Sequence, residues 1–301
     1  AMSPCPPAAP SLGMAVEPPL MFTRIPFRPA ALLAGLLLLD LPAALGAAAD
    51  PSSTLADPAV RRARFLQVID RPRVPLAPEV QARPDDEGFA VQHVSYAVEA
   101  GERATALVVR PKGATGRRPV VMYLHGTGSS KDRSVARLKE FARRGFVAVA
   151  PDGRFHGERI PAGATGDAYA DAMVAAFRTG QGHPFLYDTV WDVMRLLDYL
   201  GTRDDVDPAR IGLTGMSKGG METYLTAAVE PRIAVAVAKH GVQSFRWGLD
   251  HGAWDSRAWS IRTGVEGAAA VAGQQPGAAF LRTLYDRIAD RKSTRLNSSH
   301  T

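Results

Sequence analysis

From residue 91 onward the apolar positions follow two rhythms that take turns. Val91-Gln92-His93-Val94-Ser95-Tyr96-Ala97-Val98 alternates and predicts a half-buried strand. Glu99-Ala100-Gly101-Glu102 supplies a turn, and Ala104 to Arg110 the antiparallel partner. Val120 to Leu124 is a continuous apolar run, expected of a parallel strand covered on both faces. Val135 to Arg144 has helical spacing and is closed by Gly145; Phe146 to Ala150 is the next strand. Thr189 to Leu200 places Val190, Val193, Met194, Leu197 and Leu200 on one helical face, with Asp188 as its N-cap. Ile211 to Thr214 reads as a strand, Lys218 to Val229 as a helix carrying Met221, Tyr224, Leu225 and Ala228 on one face, and Ile233 to Ala238 as a strand. Strand–helix alternation of this kind predicts an α/β fold: a doubly wound, mostly parallel sheet with an N-terminal antiparallel hairpin.

The flanks carry a different texture. Residues 50–90 form a strap rich in Pro, Arg and Ala, with a short helix at Ala59 to Val68 and extended chain from Arg71 to Pro84. Beyond the last strand, Trp247 to Arg262 and Ala278 to Ala289 read as helical, an excursion over the carboxyl ends of the strands. No further apolar strand precedes residue 289, so the sheet is expected to be incomplete at its C-terminal strands. An exposed edge and uncovered apolar surface follow from that.

The two ends read as something other than domain. Residues 1–20 are proline-rich and read as a non-native upstream extension. Residues 21–49 have a signal-peptide pattern: Arg24 and Arg28, then apolar Ala30 to Leu39, then the small residues 44–49. The apolar run is broken by Asp40 and Pro42, short of the about 20 residues a spanning helix needs. Export to a periplasmic or extracellular location is the expectation, with no membrane attachment after cleavage. Asp290 to His300 matches, at each of its eleven codons, a translation of a common short-read sequencing adapter. Residues 290–301 are therefore expected to be artefact, and 91–289 a domain cut short.

Composition then removes whole classes of function. The chain has 301 residues, 46% hydrophobic and 22% charged, as ordinary globular domains do. Its formal charge of +6 includes the basic 290–301 segment, and the rest has no basic block, so no nucleic-acid partner is expected. The single cysteine, Cys5, lies outside the expected mature chain, which excludes disulfides and thiolate chemistry there. His240, Asp250 and His251 match no metal-ligand spacing, and there is no phosphate-binding glycine loop, so neither metal nor cofactor is implied.

The chemistry is carried by Gly215-Met216-Ser217-Lys218-Gly219, set between a predicted strand and a predicted helix. A serine on so tight a strand-to-helix turn is presented as a nucleophile, and glycines on either side let neighbouring backbone approach. Two more motifs follow strands: His125-Gly126-Thr127-Gly128 after 120–124, and Asp152-Gly153-Arg154-Phe155-His156-Gly157-Glu158-Arg159 after 146–150. In open α/β sheets, ligands gather at those carboxyl ends.

Together the three motifs resemble the α/β-hydrolase superfamily over residues 91–289, in particular its secreted esterase and prolyl-oligopeptidase-like branches. The resemblance implies a serine hydrolase of small-molecule carboxylic esters, working through an acyl-enzyme on Ser217. It implies an oxyanion hole made by the backbone N–H groups of Thr127 and Lys218. The Lys218 side chain, at the first helical position, is expected to face solvent. His125 is expected to be a structural anchor, and Asp152, Arg154 and His156 an ion-paired turn bracing the strand before them. Glu158 is a candidate for orienting substrate, and Phe185 and Tyr187 for lining an acyl pocket as against plain packing.

The superfamily's triad runs Ser, then Asp or Glu, then His. Asp250, Asp255 and His251 are poorly placed for those roles, so the acid and the base are expected to be missing and the chain as written to be inactive. A prolyl-oligopeptidase-like peptidase and a non-catalytic binding protein of hydrolase fold are the alternatives. The stretch of about 40 residues between leader and hairpin counts against the peptidase reading, since such peptidases usually carry a large N-terminal propeller.

Overall fold

In the computed structural model of this chain, residues 57–84, 88–164, 166–179, 186–241, 251, 253 and 259–283 are described. The leader and tail segments, Cys5, Phe185, Asp250 and Asp255 lie outside them. Asp57 caps the first helix, α1 (Pro58–Ile69), accepting from the Ala59 N–H at 2.8 Å; Pro58 sits in the first turn, where its missing N–H is no loss.

The strap after α1 is extended, as expected, and is held down by arginines. Arg71 pairs with Glu99 and Asp188, Arg73 reaches Asp198 and lies over the Trp191 ring, and Arg195 donates to the Val74 carbonyl. The strap ends in a strand that was not anticipated. Strand β1 (Glu79–Ala82) pairs antiparallel with Gln92 to Ser95. All four of its residues are exposed, so no burial rhythm marks it and backbone pairing alone defines it.

The hairpin forms from β2 (Phe89–Glu99) and β3 (Glu102–Pro111), in register from Phe89↔Pro111 to Ala97↔Arg103, with the register shifting before the last pair, Glu99↔Glu102. Then come β4 (Arg118–Leu124), α2 (Val135–Arg143) and β5 (Val147–Pro151). Gly145, at φ +91°, turns the chain out of α2. Two helices follow, α3 (Ala168–Thr179) and α4 (Tyr187–Gly201), then β6 (Val206–Met216), α5 (Lys218–Val229), β7 (Ile233–Lys239) and α6 (Trp259–Val271).

The seven strands make one sheet in the order β1-β2-β3-β5-β4-β6-β7. The first three and the β3–β5 pair are antiparallel; β5, β4, β6 and β7 run parallel. This is the expected mostly parallel sheet with an antiparallel N-terminal hairpin.

Alternation divides the core between the sheet faces. Val94, Tyr96, Val147, Val149, Met122 and Leu213 pack with Trp191, Leu196 and Leu200 of α4. Phe89, Val91, Ala148 and Ala150 pack with Leu138 and Ala142 of α2. A third cluster joins α3, α5 and α6 through Met173, Met221, Val265 and Ala268.

Three helical expectations need correction. Helix α4 starts at Tyr187, so Asp188 is not its N-cap; Leu186 holds that place at φ +65°, and Asp188 is spent on Arg71. Helix α3 was not foreseen, although Asp167 caps it by accepting from the Tyr169 and Ala170 N–H groups at 3.0 and 3.1 Å. Helix α6 overlaps the first of the two expected helical stretches only over Trp259–Arg262 and runs on to Val271, while residues 278–283 are helical where the second was expected. Gly264 and Gly267 argue against helix in the sequence, yet here they are the contact surface. A Cβ on Gly264 would lie 2.9 Å from Met173 Cβ, and one on Gly267 2.8 Å from Val174 Cγ2.

Strand β7 is the last strand of the sheet among the described residues, and it carries the expected exposed edge. Val235 and Val237 are 61% and 51% exposed and border an apolar groove of about 550 Å³ with Val121, Tyr123, Phe141 and Leu213.

Candidate active site

Helix α5 begins immediately after Ser217, and the turn between them is strained. Ser217 has φ +57° and ψ −119°, a region other residues avoid and a nucleophile elbow requires. Backbone packing enforces it. A Cβ on Gly215 would lie 2.4 Å from Gly219 O, and one on Gly219 2.1 Å from Leu124 O. Ser217 itself donates its N–H to Lys239 O at 2.9 Å, tying the turn to β7. The serine is exposed, and no described residue hydrogen-bonds its hydroxyl.

The loop after β4 lies against this turn. A Cβ on Gly126 would sit 3.4 Å from Met216 O and 3.8 Å from Ser217 Cβ. Thr127 is the next residue. Its N–H and that of Lys218 donate to no acceptor among the described residues. Two donors of this kind flanking a serine are what a developing oxyanion requires.

His125 fixes the loop. Its Nδ1–H donates to Gly126 O at 2.9 Å, and Nε2 accepts from the Gly153 N–H at 3.1 Å. Both ring nitrogens are committed, so His125 bridges the β4 and β5 loops and has no lone pair left for the serine. Burial, helped by the Lys218 charge, drives its pKa down to about 2. His156 lies tilted against it, 5.2 Å between ring centroids, donates Nδ1–H to Arg154 O at 2.8 Å, and is lowered by the same causes to about 4.

The Asp152–Arg159 turn is ionic, but not as one cluster. Asp152, fully buried, accepts from Lys131 N and Nζ, both at 2.8 Å, and from Glu158 N at 3.1 Å. Gly157 is required by this wrapping, since a Cβ there would lie 2.2 Å from Asp152 Oδ1. Arg154 turns the other way and grips Asp192 of α4 through Nε at 3.0 Å and Nη2 at 2.9 Å; Arg159 adds a third bond at 2.5 Å. Burial works to raise the Asp192 carboxyl, but the charges of Arg159 and Arg154 outweigh it and hold it below the usual range.

Glu158 is occupied by Lys131 Nζ at 2.7 Å and His93 Nε2 at 2.8 Å. Tyr187 packs edge-on against Phe65 of α1, 5.6 Å between centroids, as part of the core. That contact assigns Tyr187 to packing in place of an acyl pocket.

Lys218 reverses the expectation for its side chain. It is 2% exposed and pairs with an equally buried Glu222, Nζ to Oε1 2.7 Å. The i,i+4 spacing was visible, but the direction was not: residues at the first helical position usually have solvent beside them. Here Thr189 and the Gly153 turn close over it. Lys131 and Asp192 were also missed, since nothing local marks Lys131 off from the neighbouring Asp132 and Arg133, or Asp192 off from Asp198 of the same helix, as buried.

Residues 76–244, more than half of the chain, match the acetyl xylan esterase (AXE1) family. The chain belongs to that family. Among curated proteins this esterase-family chain is 29% identical over 194 residues to "Putative hydrolase YtaP" of Bacillus subtilis (strain 168), covering 60% of this chain and 62% of that protein. Among solved structures it resembles an acetyl xylan esterase from Paenibacillus sp. R4 (TM-score 0.56, 19% identity, 80% of this chain and 74% of the other). It also resembles acetyl xylan esterase 1 from Thermoanaerobacterium sp. JW/SL YS485 (TM-score 0.51, 22% identity, 64% and 63%). At such identities the structural likeness speaks for the α/β-hydrolase fold. The chain spans under two thirds of the length of YtaP and of the Thermoanaerobacterium enzyme.

Proposed function

We propose that the chain comes from an esterase that removes acyl groups, acetyl first among them, from a carbohydrate alcohol. In this reading Ser217 Oγ attacks the ester carbonyl carbon. The carbonyl electrons move onto oxygen, which the N–H groups of Thr127 and Lys218 hold. The proton lost by the Ser217 hydroxyl passes to the departing sugar oxygen, which leaves as the alcohol; water then cleaves the Ser217 acyl ester, releasing the carboxylic acid and returning a proton to Oγ. The observation that carries it is the strained, exposed Ser217 at φ +57° beside two unspent backbone donors. The family supplies the acetylated polysaccharide, and the signal-like pattern of residues 21–49 supports export to where such a polymer is met.

The general base and its acid partner fall outside this described site. Among the described residues no imidazole hydrogen-bonds Ser217, and His125 has no free ring nitrogen. A hydrolase left with only its oxyanion hole and binding keeps on the order of 10³–10⁴-fold catalysis over water. We therefore read the described site as weakly active by itself.

The test is covalent labelling by a fluorophosphonate together with deacetylation of p-nitrophenyl acetate and acetylated xylan. Both should vanish in Ser217→Ala. Labelling that persists in that variant removes Ser217 from the nucleophile role, and turnover of prolyl peptides in place of esters would replace the substrate class.

A further inference from the structure

The Lys218–Glu222 pair has no part in the steps above, yet it lies directly under them. A buried ion pair is a poor device for stability, because desolvation consumes most of its attraction and apolar residues of equal volume do as well. Its placement offers another reason for it. Lys218 carries one oxyanion donor on its own backbone. Its ammonium occupies the space that a side chain on Gly153 would need: a Cβ there would lie 2.8 Å from Lys218 Nζ and 3.8 Å from His125 Cε1. Gly153 in turn donates to His125 Nε2, and His125 Nδ1–H holds Gly126 O, one residue before the second donor on Thr127. A continuous chain of contacts therefore runs from Lys218 Nζ to the opposite wall of the oxyanion hole.

We propose that Lys218 is a positioning residue of the oxyanion hole: its side chain, anchored by Glu222, sets the Gly153–His125–Gly126 bridge on which the Thr127 N–H is aimed, and its fixed charge favours the negative transition state. This rests on the ester-hydrolase reading of Ser217. Burial pushes the Glu222 carboxyl up, with Lys218 and Thr189 pulling against it, so the anchor depends on its partner cation.

The test compares K218M, E222Q and the double variant K218M/E222Q on the full chain, with p-nitrophenyl acetate turnover, the fluorophosphonate labelling rate and Tm as readouts. K218M should lower kcat and the labelling rate at least tenfold with KM within about twofold, the signature of an interaction made in the transition state. The double variant has no buried charge and near-native volume. It should regain Tm but not rate, and it carries the test if K218M fails to fold. K218R should recover part of the rate. Recovery of both Tm and rate in the double variant would overturn the proposal, leaving the pair a packing element. Ser217→Ala run alongside separates the two readings: unchanged turnover there refutes the ester-hydrolase assignment, whereas loss there with full rate in K218M/E222Q refutes only the role of Lys218.

Discussion

Asp192→Asn should destabilise this protein more than any other neutral, near-isosteric exchange in α4. Asp192 is 1% exposed and receives three charge-assisted hydrogen bonds, two from Arg154 at 3.0 and 2.9 Å and one from Arg159 at 2.5 Å. Removing one partner of a buried ion pair costs about 3–5 kcal/mol, because the remaining charge stays buried without its counterion. Here two guanidinium groups are affected, but each keeps a second carboxylate, Glu99 for Arg154 and Glu102 for Arg159. Those glutamates are 32% and 45% exposed and compensate in part, so the lower end, about 3 kcal/mol, is expected. For a domain of this size that is a drop in Tm of roughly 6–12 °C, read by calorimetry at pH 7. Acid supplies an internal check. The folded pKa of Asp192 is depressed, so its contribution is complete above the unfolded value near 4 and is lost as pH falls toward the folded value. The Asn variant lacks that loss, and the gap between variant and parent should close below about pH 4. A Tm within roughly 1 °C of the parent at pH 7, or a gap that persists in acid, would refute the network as a source of stability.

The buried histidines predict acid sensitivity that begins earlier. Native His156 is held near 4 and His125 near 2, so stability is complete above the unfolded value of about 6.5 and falls below it by about 1.4 kcal/mol per pH unit for each ring. His156→Gln should flatten urea-unfolding free energies between pH 6 and 4, and an unchanged slope there would count against a neutral native imidazole. Gly219→Ala, whose methyl would meet Leu124 O at 2.1 Å, should abolish phosphonate labelling; Gly201→Ala, with nothing within 4 Å, should leave it intact. Val237→Lys should reduce concentration-dependent association in light scattering without lowering Tm, since Val237 is 51% exposed on an edge strand. Equal association in the variant would place the sticky surface elsewhere.

Much of the scaffold could be read from the chain because its strands are buried in regular patterns. The run 120–124 and the helix 218–229 are found where apolar periodicity put them, since each buries one face through that period, and 233–238 forms the expected strand although most of its residues are exposed. What escaped has tertiary causes. Strand β1 buries nothing, so only pairing with β2 reveals it. Beyond Arg262, helix α6 hid behind two glycines whose value lies in how closely α3 approaches. The site divides in the same way. Ser217 was legible because the elbow is a local backbone device. Lys218 was misjudged because its burial depends on Thr189 and Gly153, distant in sequence.

The strain at Ser217 also makes it a reporter of the folded population. No local sequence can hold φ +57° unaided; the conformation exists because Leu124 O, Gly219 and Lys239 O surround it, contributed by β4, α5 and β7. Strands β4 and β6 are far apart along the chain, so their pairing closes a much longer loop than the local β2–β3 hairpin does. In any partly folded species with β4 or β7 detached, the serine relaxes to an ordinary turn and loses its reactivity. The rate at which a phosphonate finds Ser217 during refolding would therefore time the closure of the whole parallel sheet, with no spectroscopic probe in the molecule.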